Sequence, residues 1–432
     1  MKTLIQKNIK NWLAIAIVIM LMAGNTGAVL ASNPKSNQPD TLTYVQFKGS
    51  VTDIETRAAL IFATLSLEGT NIATITNSEG EFSLKVPKNI TNGKITVSHL
   101  GYKNKEVNLS EMKPEKNRIE LEIFTVSLSE VNVFPKDPEL LMRAVMNKRT
   151  QNYSDDQNLM TAFYRETIKK KKTYVSLSEA VIEVYKQPYA SLRTDMAELF
   201  KGRKSTDYAK LDTLTFKLQG GPYTNLYLDI MKNPEMIFTE DMIGNYEFTI
   251  ENITKIDERL VYVIGFKQRE FVSEPLYYGK IYVETESLAI TNATFNLNLE
   301  NKAAASDLFI KKKPIGAKVF PTEASYQIVY REKDGKWLYG YSRGQINFKV
   351  DWDKKFFNTT YESTIEMAVT DWEKMDTKNA KPTERLRSNV VLTDQLTGFA
   401  DPEFWGEYNV IEPEKPIEMA IKKIQKKLEK TN

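Results

Sequence analysis

The chain has 432 residues, with 59 Lys and Arg, 56 Asp and Glu, a single His and no Cys. Without Cys there can be no disulfide, no thiolate nucleophile and no lipoprotein attachment at a cysteine. With one His as well, the His and carboxylate ligand set of a zinc peptidase cannot be assembled, so carboxypeptidase chemistry is excluded on composition.

The N-terminus has the layout of a secretory signal peptide. Lys2, Lys7 and Lys10 precede an apolar run from Trp12 to Ala23, and Val29-Leu30-Ala31 supplies a small-residue site with the predicted cut between Ala31 and Ser32. The run falls short of the ~20 apolar residues of a spanning helix, and an uncleaved N-terminal anchor is the competing reading. Residues 1–31 hold three Lys and no acid, so 56 basic and 56 acidic residues remain after them. A chain with no net charge has no global field for nucleic acid, and no nucleic-acid partner is expected. The expected location is the periplasm or the outer membrane, with no transmembrane helix after cleavage and an envelope protein as partner.

Residues 32–42 are polar and rich in Asn, Ser and Pro and are read as a disordered leader. From residue 43 the pattern is β: Val45, Phe47, Gly49 and Val51 alternate, then Ala63, Leu65 and Leu67. Thr74–Val86 reads as a β-hairpin around Asn77-Ser78-Glu79-Gly80, with Phe82, Leu84 and Val86 on one face and Gly80 free to take a positive φ. Ile95, Val97 and His99 follow in phase, then Val107 and Leu109, then Ile119, Leu121 and Ile123, and a last short strand at Val131 and Val133. About seven short strands with regular turns predict a β-sandwich over residues 43–134.

Four blocks within it are diagnostic: Phe47–Asp53, Ala63–Thr70, Thr76–Phe82 and Val97–Lys103. In this order they resemble the carboxypeptidase regulatory-like domain, a transthyretin-like sandwich of secreted Gram-negative proteins that also caps many TonB-dependent transporters. His99 stands where that family usually has an aromatic such as Tyr. The resemblance implies an accessory module without peptidase chemistry.

Residues 135–153 form a linker and a helix, capped by Asp137 with Pro138 at its first position and spaced apolar at Leu140, Leu141, Ala144 and Val145. Residues 154–374 predict a larger, curved antiparallel sheet with a few helices. Its strands are Leu159–Lys169, Thr173–Tyr185, Tyr246–Lys255, Leu260–Phe266, Gly279–Glu284, Leu288–Leu299, Ala317–Tyr330, Trp337–Lys349 and Phe357–Val369. Helices are expected at Leu192–Lys201 and Asn225–Lys232. The predicted class is therefore mainly β, a seven-stranded sandwich followed by an α+β sheet domain. Thr161–Glu166 with Tyr174–Ala180 resembles a region of unknown function that often follows the regulatory-like domain in envelope proteins. Val261–Phe266, Gly279–Val283 and Leu288–Ile290 look like the sheet of periplasmic lipoprotein carriers. Residues 375–432 read as a loop and an amphipathic helix with Ile417, Ala420, Ile421, Ile424 and Leu428 in register.

Candidate chemistry is sparse. His99 shares parity with Ile95 and Val97 and is read as packing rather than as the base of a Ser–His–Asp set. Glu179 and Glu183 lie four apart on one strand face, roughly 13 Å by strand rise, beyond glycosidase separation. Asp351 and Asp353 would lie roughly 7 Å apart, which suits an inverting pair, but they border a turn with Lys354 and Lys355. Asn77–Glu81 is too poor in carboxylates for a calcium loop. Lys169–Lys172 and Lys311-Lys312-Lys313 could touch lipid phosphates but read as solvated tips. Phe404, Trp405 and Tyr408 offer either a binding platform or an anchor for the following helix. No catalytic, cofactor-binding or metal residues are expected, and the ligand-binding residues are unassigned. The expectation is a non-enzymatic binding or assembly module acting through protein–protein or hydrophobic-ligand contacts. A periplasmic lipid or lipoprotein carrier is the alternative, and a carboxylate-dependent glycan hydrolase the second.

Overall fold

The computed structural model describes residues 18–19, 43–124, 136–206, 218–256, 258–310, 316–353, 358–375, 380–398, 404–414, 417–419 and 421. The predicted cleavage site at Ala31 and Ser32, the expected strand at Val131 and Val133, the Lys311–Lys313 tract and most of the C-terminal helix lie outside them.

Within the N-terminal unit, alternating residues build a sandwich of seven strands: β2 (Tyr44–Asp53), β3 (Thr64–Leu67), β4 (Ala73–Ile75), β5 (Glu81–Pro87), β6 (Lys94–Ser98), β7 (Lys105–Asn108) and β8 (Asn117–Leu121). One sheet runs β5-β2-β8, the other β4-β3-β6-β7. Phe47, Val51, Leu65, Phe82, Leu84, Ile95, Val97 and Ile119 fill the space between them, as inward alternation on facing sheets requires. The expected Thr74–Val86 hairpin is not one. Its turn closes, with Asn77 N–H on the Glu81 carbonyl at 2.8 Å and the Asn77 side chain accepting from the amides of Glu79 and Glu81. Its two arms then part, β4 pairing with β3 and β5 with β2. The stretch crosses from one sheet to the other because Phe82 and Leu84 belong to the sandwich core while Ile75 belongs to a separate apolar cluster.

An N-terminal pair, β1 (Val18–Ile19) with β12 (Leu218–Gln219), forms a small separate sheet. Among the described residues the large sheet has eleven strands: β9 (Asn158–Lys170), β10 (Thr173–Lys186), β11 (Met196–Thr206), β13 (Tyr246–Ile256), β14 (Arg259–Gln268), β15 (Tyr277–Glu284), β16 (Ile290–Leu297), β17 (Ala317–Lys333), β18 (Lys336–Trp352), β19 (Thr359–Lys374) and β20 (Thr397–Gly398). Their order is β13-β14-β15-β16-β17-β18-β19-β9-β10-β11-β20, and every neighbour is antiparallel except β20. Register shifts at Val181/Ile182, Ile250/Asn252, Tyr282/Val283, Pro321/Glu323, Val329/Tyr330 and Val369/Asp371 break the ladder. Such bulges bend strands and raise their twist, which gives the sheet its expected curvature.

One face of this sheet is a dry core. Met160, Ala162 and Tyr164 of β9, Ile281 and Val283 of β15 and Ile346, Phe348 and Val350 of β18 all point into it. It is covered by α1 (Pro138–Asn147), α3 (Pro222–Tyr227), α4 (Glu240–Ile243) and α5 (Lys302–Phe309); α2 (Arg149–Asn152) and α6 (Leu392–Gln395) are single turns. α1 starts as expected, the Asp137 side chain accepting from the amides of Glu139 and Leu140. A buried Lys186 crosses this core and donates to Asp195 and Asp229, each at 2.6 Å, and Tyr330 donates to Asp229 at 2.8 Å.

Two helix expectations are corrected. Met196–Lys201 is strand, paired with β10 from Tyr185 to Val181; good helix formers there yield to a long ladder, as tertiary pairing overrides propensity. The helix expected at Asn225–Lys232 runs instead over Pro222–Tyr227, starting after Gly221 at φ 51 and dissolving into turns ahead of Pro234.

Candidate functional site

The face opposite the dry core carries a polar line, interrupted at Gly265. Cross-strand partners run Thr249, Gly265, Lys280, Thr294, Gln327, Arg343, Glu366, Arg165, Glu179 and Arg203, one residue from each of ten adjacent strands. Directly opposed side chains on one sheet face lie close enough to pair. From Arg343 onward the charges alternate in sign, so every neighbour attracts.

This charged half is buried. Arg165 is 2 % exposed and Glu179 1 %. Arg165 donates to Glu179 at 2.8 Å and to Glu366 at 3.1 Å, and Arg203 donates to the other oxygen of Glu179 at 2.9 Å. Burial pushes the Glu179 carboxyl up, but the two guanidiniums outweigh it and hold it below the usual carboxylate range. The lid over these groups is the C-terminal segment: the Ile411 carbonyl accepts from Arg165 at 2.7 Å.

The same segment holds the sandwich. Glu414 accepts from Ser78 at 2.5 Å with one oxygen and from Tyr174 at 3.1 Å with the other, so one carboxylate bridges both domains. Asn409 pairs its side-chain amide with the backbone of Lys85 in both directions, at 2.7 and 3.1 Å, extending the β5 edge. Lys48 meets Glu412 at 2.8 Å. Beneath them Trp405, Val410 and Ile411 pack with Ile75 of the sandwich and Phe163, Val181 and Tyr341 of the large sheet. Phe404, Trp405 and Tyr408 are thus an anchor, Trp405 standing edge-on to Phe163 at 5.5 Å.

Beyond Arg343 the polar line leaves this cover and becomes the floor of an open trough of about 780 Å³. Strands β13 to β18 supply the floor, and Phe62 of the sandwich stands over one end. Glu247 and Glu251 sit in it, but each is held by a Lys, Lys267 at 3.1 Å and Lys280 at 2.6 Å. Phe62 has φ 66, a conformation uncommon for a bulky side chain. Its ring rests 5.2 Å from that of Tyr341, with the Arg343 guanidinium 5.9 Å from its centre.

The residues singled out from sequence are scattered. His99 lies just past β6; its Nε2–H donates to the Ile61 carbonyl at 3.1 Å and its ring meets Tyr102 edge-on at 5.0 Å. Tyr102 in turn donates to Asp53 at 2.9 Å. Glu179 belongs to the charged line, whereas Glu183 faces Glu198 across the strands, and burial followed by Glu198 and Glu373 raises its carboxyl. Asp351 and Asp353 lie at the end of β18, Asp351 opposite Lys318 and Asp353 in the turn back to Gly316. Lys169 of the Lys tip is engaged by Glu362 at 2.8 Å. Neither acid pair faces the trough. Among the described residues no group of three or more His, Cys, Asp or Glu could hold a metal ion. Sequence reasoning missed Phe62, the trough and the polar line, whose members are spread over more than two hundred positions; Arg165, Glu179, Gly265 and Lys280 fell inside noted motifs, but nothing there set them side by side.

The sandwich geometry agrees with a family match over residues 47–133. That part of the chain is a CarboxypepD_reg-like domain. The regulatory-like domain accounts for the sandwich and not for the larger sheet. No curated protein matches the chain. Among solved structures, a DUF1329 family protein from Desulfovibrio piger is 13 % identical over 57 % of this chain and 96 % of its own, with a TM-score of 0.23. A domain named for outer membrane lipoprotein sorting from Vibrio parahaemolyticus is 9 % identical over 57 % and 95 %, TM-score 0.27. A LolA superfamily protein from Nitrosomonas europaea is 10 % identical over 55 % and 95 %, TM-score 0.20. Superposition this loose carries no inference about activity. No helix among the described residues is long and apolar enough to cross a membrane.

Proposed function

We propose that this chain is an exported, non-enzymatic binding module of the cell envelope whose ligand lies in the trough. The observation that carries the reading is that both domains build the site: six strands of the large sheet form its floor, and Phe62 of the regulatory-like domain forms its end wall. A sandwich clamped to the sheet by Glu414, Asn409 and Lys48 keeps that wall in place. Both trough acids are committed to ion pairs, which favours binding over acid–base chemistry. The test is a photo-crosslinking residue at Tyr278, on the trough rim, in the chain expressed in its own envelope. Capture of a ligand that is lost when the probe is moved to Leu140, on the far helix, supports the reading. Equal labelling from both positions overturns it.

A carrier for lipid or lipoprotein is the second reading. What favours it is the dry core itself, a curved sheet closed by short helices over Ile, Phe and Tyr side chains. A carrier would part those helices to admit acyl chains. Lipid recovered from purified protein by mass spectrometry, with faster amide exchange in α3 and α5 after its removal, would favour it over the trough.

A further inference from the structure

We infer that the trough binds a neutral carbohydrate chain lying across the strands, an inference that rests on the trough being the ligand site. The first argument is charge. Glu247, Glu251, Lys267 and Lys280 neutralise one another in pairs, and the Arg343 guanidinium is spent on Glu366 at 3.5 Å and on Gln345 at 3.2 Å. Charges that cancel in pairs offer a charged ligand no net field, and a neutral hydroxylated one needs none.

The second argument is the polar lining. Next to the line through Lys280, Thr294 and Gln327 runs a second, from Tyr278 through Asn296 and Ser325 to Gln345. Both present amides and hydroxyls, which donate and accept at once, as sugar hydroxyls do. The side-chain amides of Asn296 and Gln327 make no hydrogen bond among the described residues, so their capacity is open to a ligand. Successive residues along each line are one strand spacing apart, about 4.8 Å, comparable to the length of one hexose unit.

The third argument is depth and aromatic surface. At Gly265, on the trough face between Thr249 and Lys280, a Cβ would meet the Glu251 carboxylate at 2.6 Å, so the missing side chain lets Glu251 lie flat and keeps the floor low there. Tyr278 is 46 % exposed at one side, and Phe62 is held in its left-handed conformation at the other. Strain of that kind persists where the surroundings impose it, and here it sets an aromatic face at the end of a polar channel, where sugar C–H faces stack.

The experiment is affinity electrophoresis and titration calorimetry of the mature two-domain protein against dextran, laminarin, soluble xylan and a neutral mannan, with a charged alginate as control. The expected result is retardation by at least one neutral polymer and not by alginate. In the double variant Asn296→Ala, Gln327→Ala, with unchanged melting temperature, binding falls by about tenfold or more, the worth of one or two net hydrogen bonds. Phe62→Asn, which suits the positive φ but lacks the ring, weakens binding similarly. Binding of alginate alone, or retardation unchanged in both variants, overturns the inference. If no polymer binds while a probe at Tyr278 captures a protein, the carbohydrate is wrong and the trough still binds. If the probe captures nothing either, the trough reading falls with it.

Discussion

Arg165 and Glu366 meet at 3.1 Å although 201 residues separate them in the chain, and neither has appreciable access to water. The contact is possible only because β19 returns to lie against β9. A buried ion pair adds little net stability over an apolar pair of the same shape, but removing one partner strands the other charge.

Glu366→Gln and Arg165→Ala are therefore expected to cost about 3–5 kcal/mol each. Arg165→Lys should also be costly, because a lysine cannot serve Glu179, Glu366 and the Ile411 carbonyl at once. Urea unfolding followed by fluorescence of buried Trp337 and Trp372 would show the midpoint falling with the slope preserved. Losses below 1 kcal/mol in all three would mean that the charged line is solvated in solution.

Docking of the sandwich is expected to weaken in acid. Burial raises the Glu414 carboxyl, but its bond from Ser78 and the charges of Arg165 and Arg343 outweigh this and leave it below the ordinary value. A depressed carboxyl contributes stability that is present above the unfolded-state value, near 4.3, and is lost as pH falls through the folded one. Proteolytic cleavage between the two domains should accelerate below about pH 4, and Glu414→Gln should show the fast rate at neutral pH already. A flat cleavage rate from pH 7 to pH 3 would refute this.

Glu166 works in the opposite direction. It faces the dry core, accepts from the Tyr164 hydroxyl at 2.9 Å, and burial, which outweighs the hydroxyls of Tyr164 and Ser178, raises it to about 7. A raised carboxyl contributes stability in its protonated form, fully present below the unfolded-state value and lost as pH rises through the folded one. Glu166→Gln should match the parent near pH 4 and exceed it by something on the order of 2–3 kcal/mol at pH 8. Paired melting curves across that range decide it; a variant less stable than the parent at pH 8 would refute the assignment.

Gly80 has φ 73, and a Cβ there would meet the Val51 carbonyl at 2.8 Å. Gly80→Ala should cost about 1–3 kcal/mol. Because the turn carries Ser78 against Glu414, the same change should also raise the interdomain cleavage rate at neutral pH. A destabilised sandwich with unaltered cleavage would separate the turn from the docking.

The seven strands of the sandwich were legible because Phe82, Leu84 and Val86 or Ile95 and Val97 alternate cleanly, and one buried face enforces period two. Which strand each arm pairs with was not legible: β4 and β5 flank a good turn, yet the two faces of Ile75 and Phe82 belong to different clusters. At Met196–Lys201 local helix preference masked a strand that pairs back onto β10, although β10 itself was expected just upstream. The site was the least legible part. Thr294, Gln327 and Arg343 are unremarkable polar residues until the register of several ladders sets them side by side, and register is a property of the assembled sheet. Phe62 gave a weaker hint still, since a left-handed phenylalanine leaves no trace in composition.

The position of β9 between β19 and β10 bears on how the molecule comes into being. Arg165 emerges early, but its acceptor at Ile411 lies 246 residues later. Until that last segment is delivered, the middle of the sheet holds cations and carboxylates with no cover, and the seam between the two halves of the polypeptide stays open. Such distant pairing is slow to form, so the sheet remains uncovered until the residues around Ile411 have joined it. Only the arrival of the final strap would commit it to the native state.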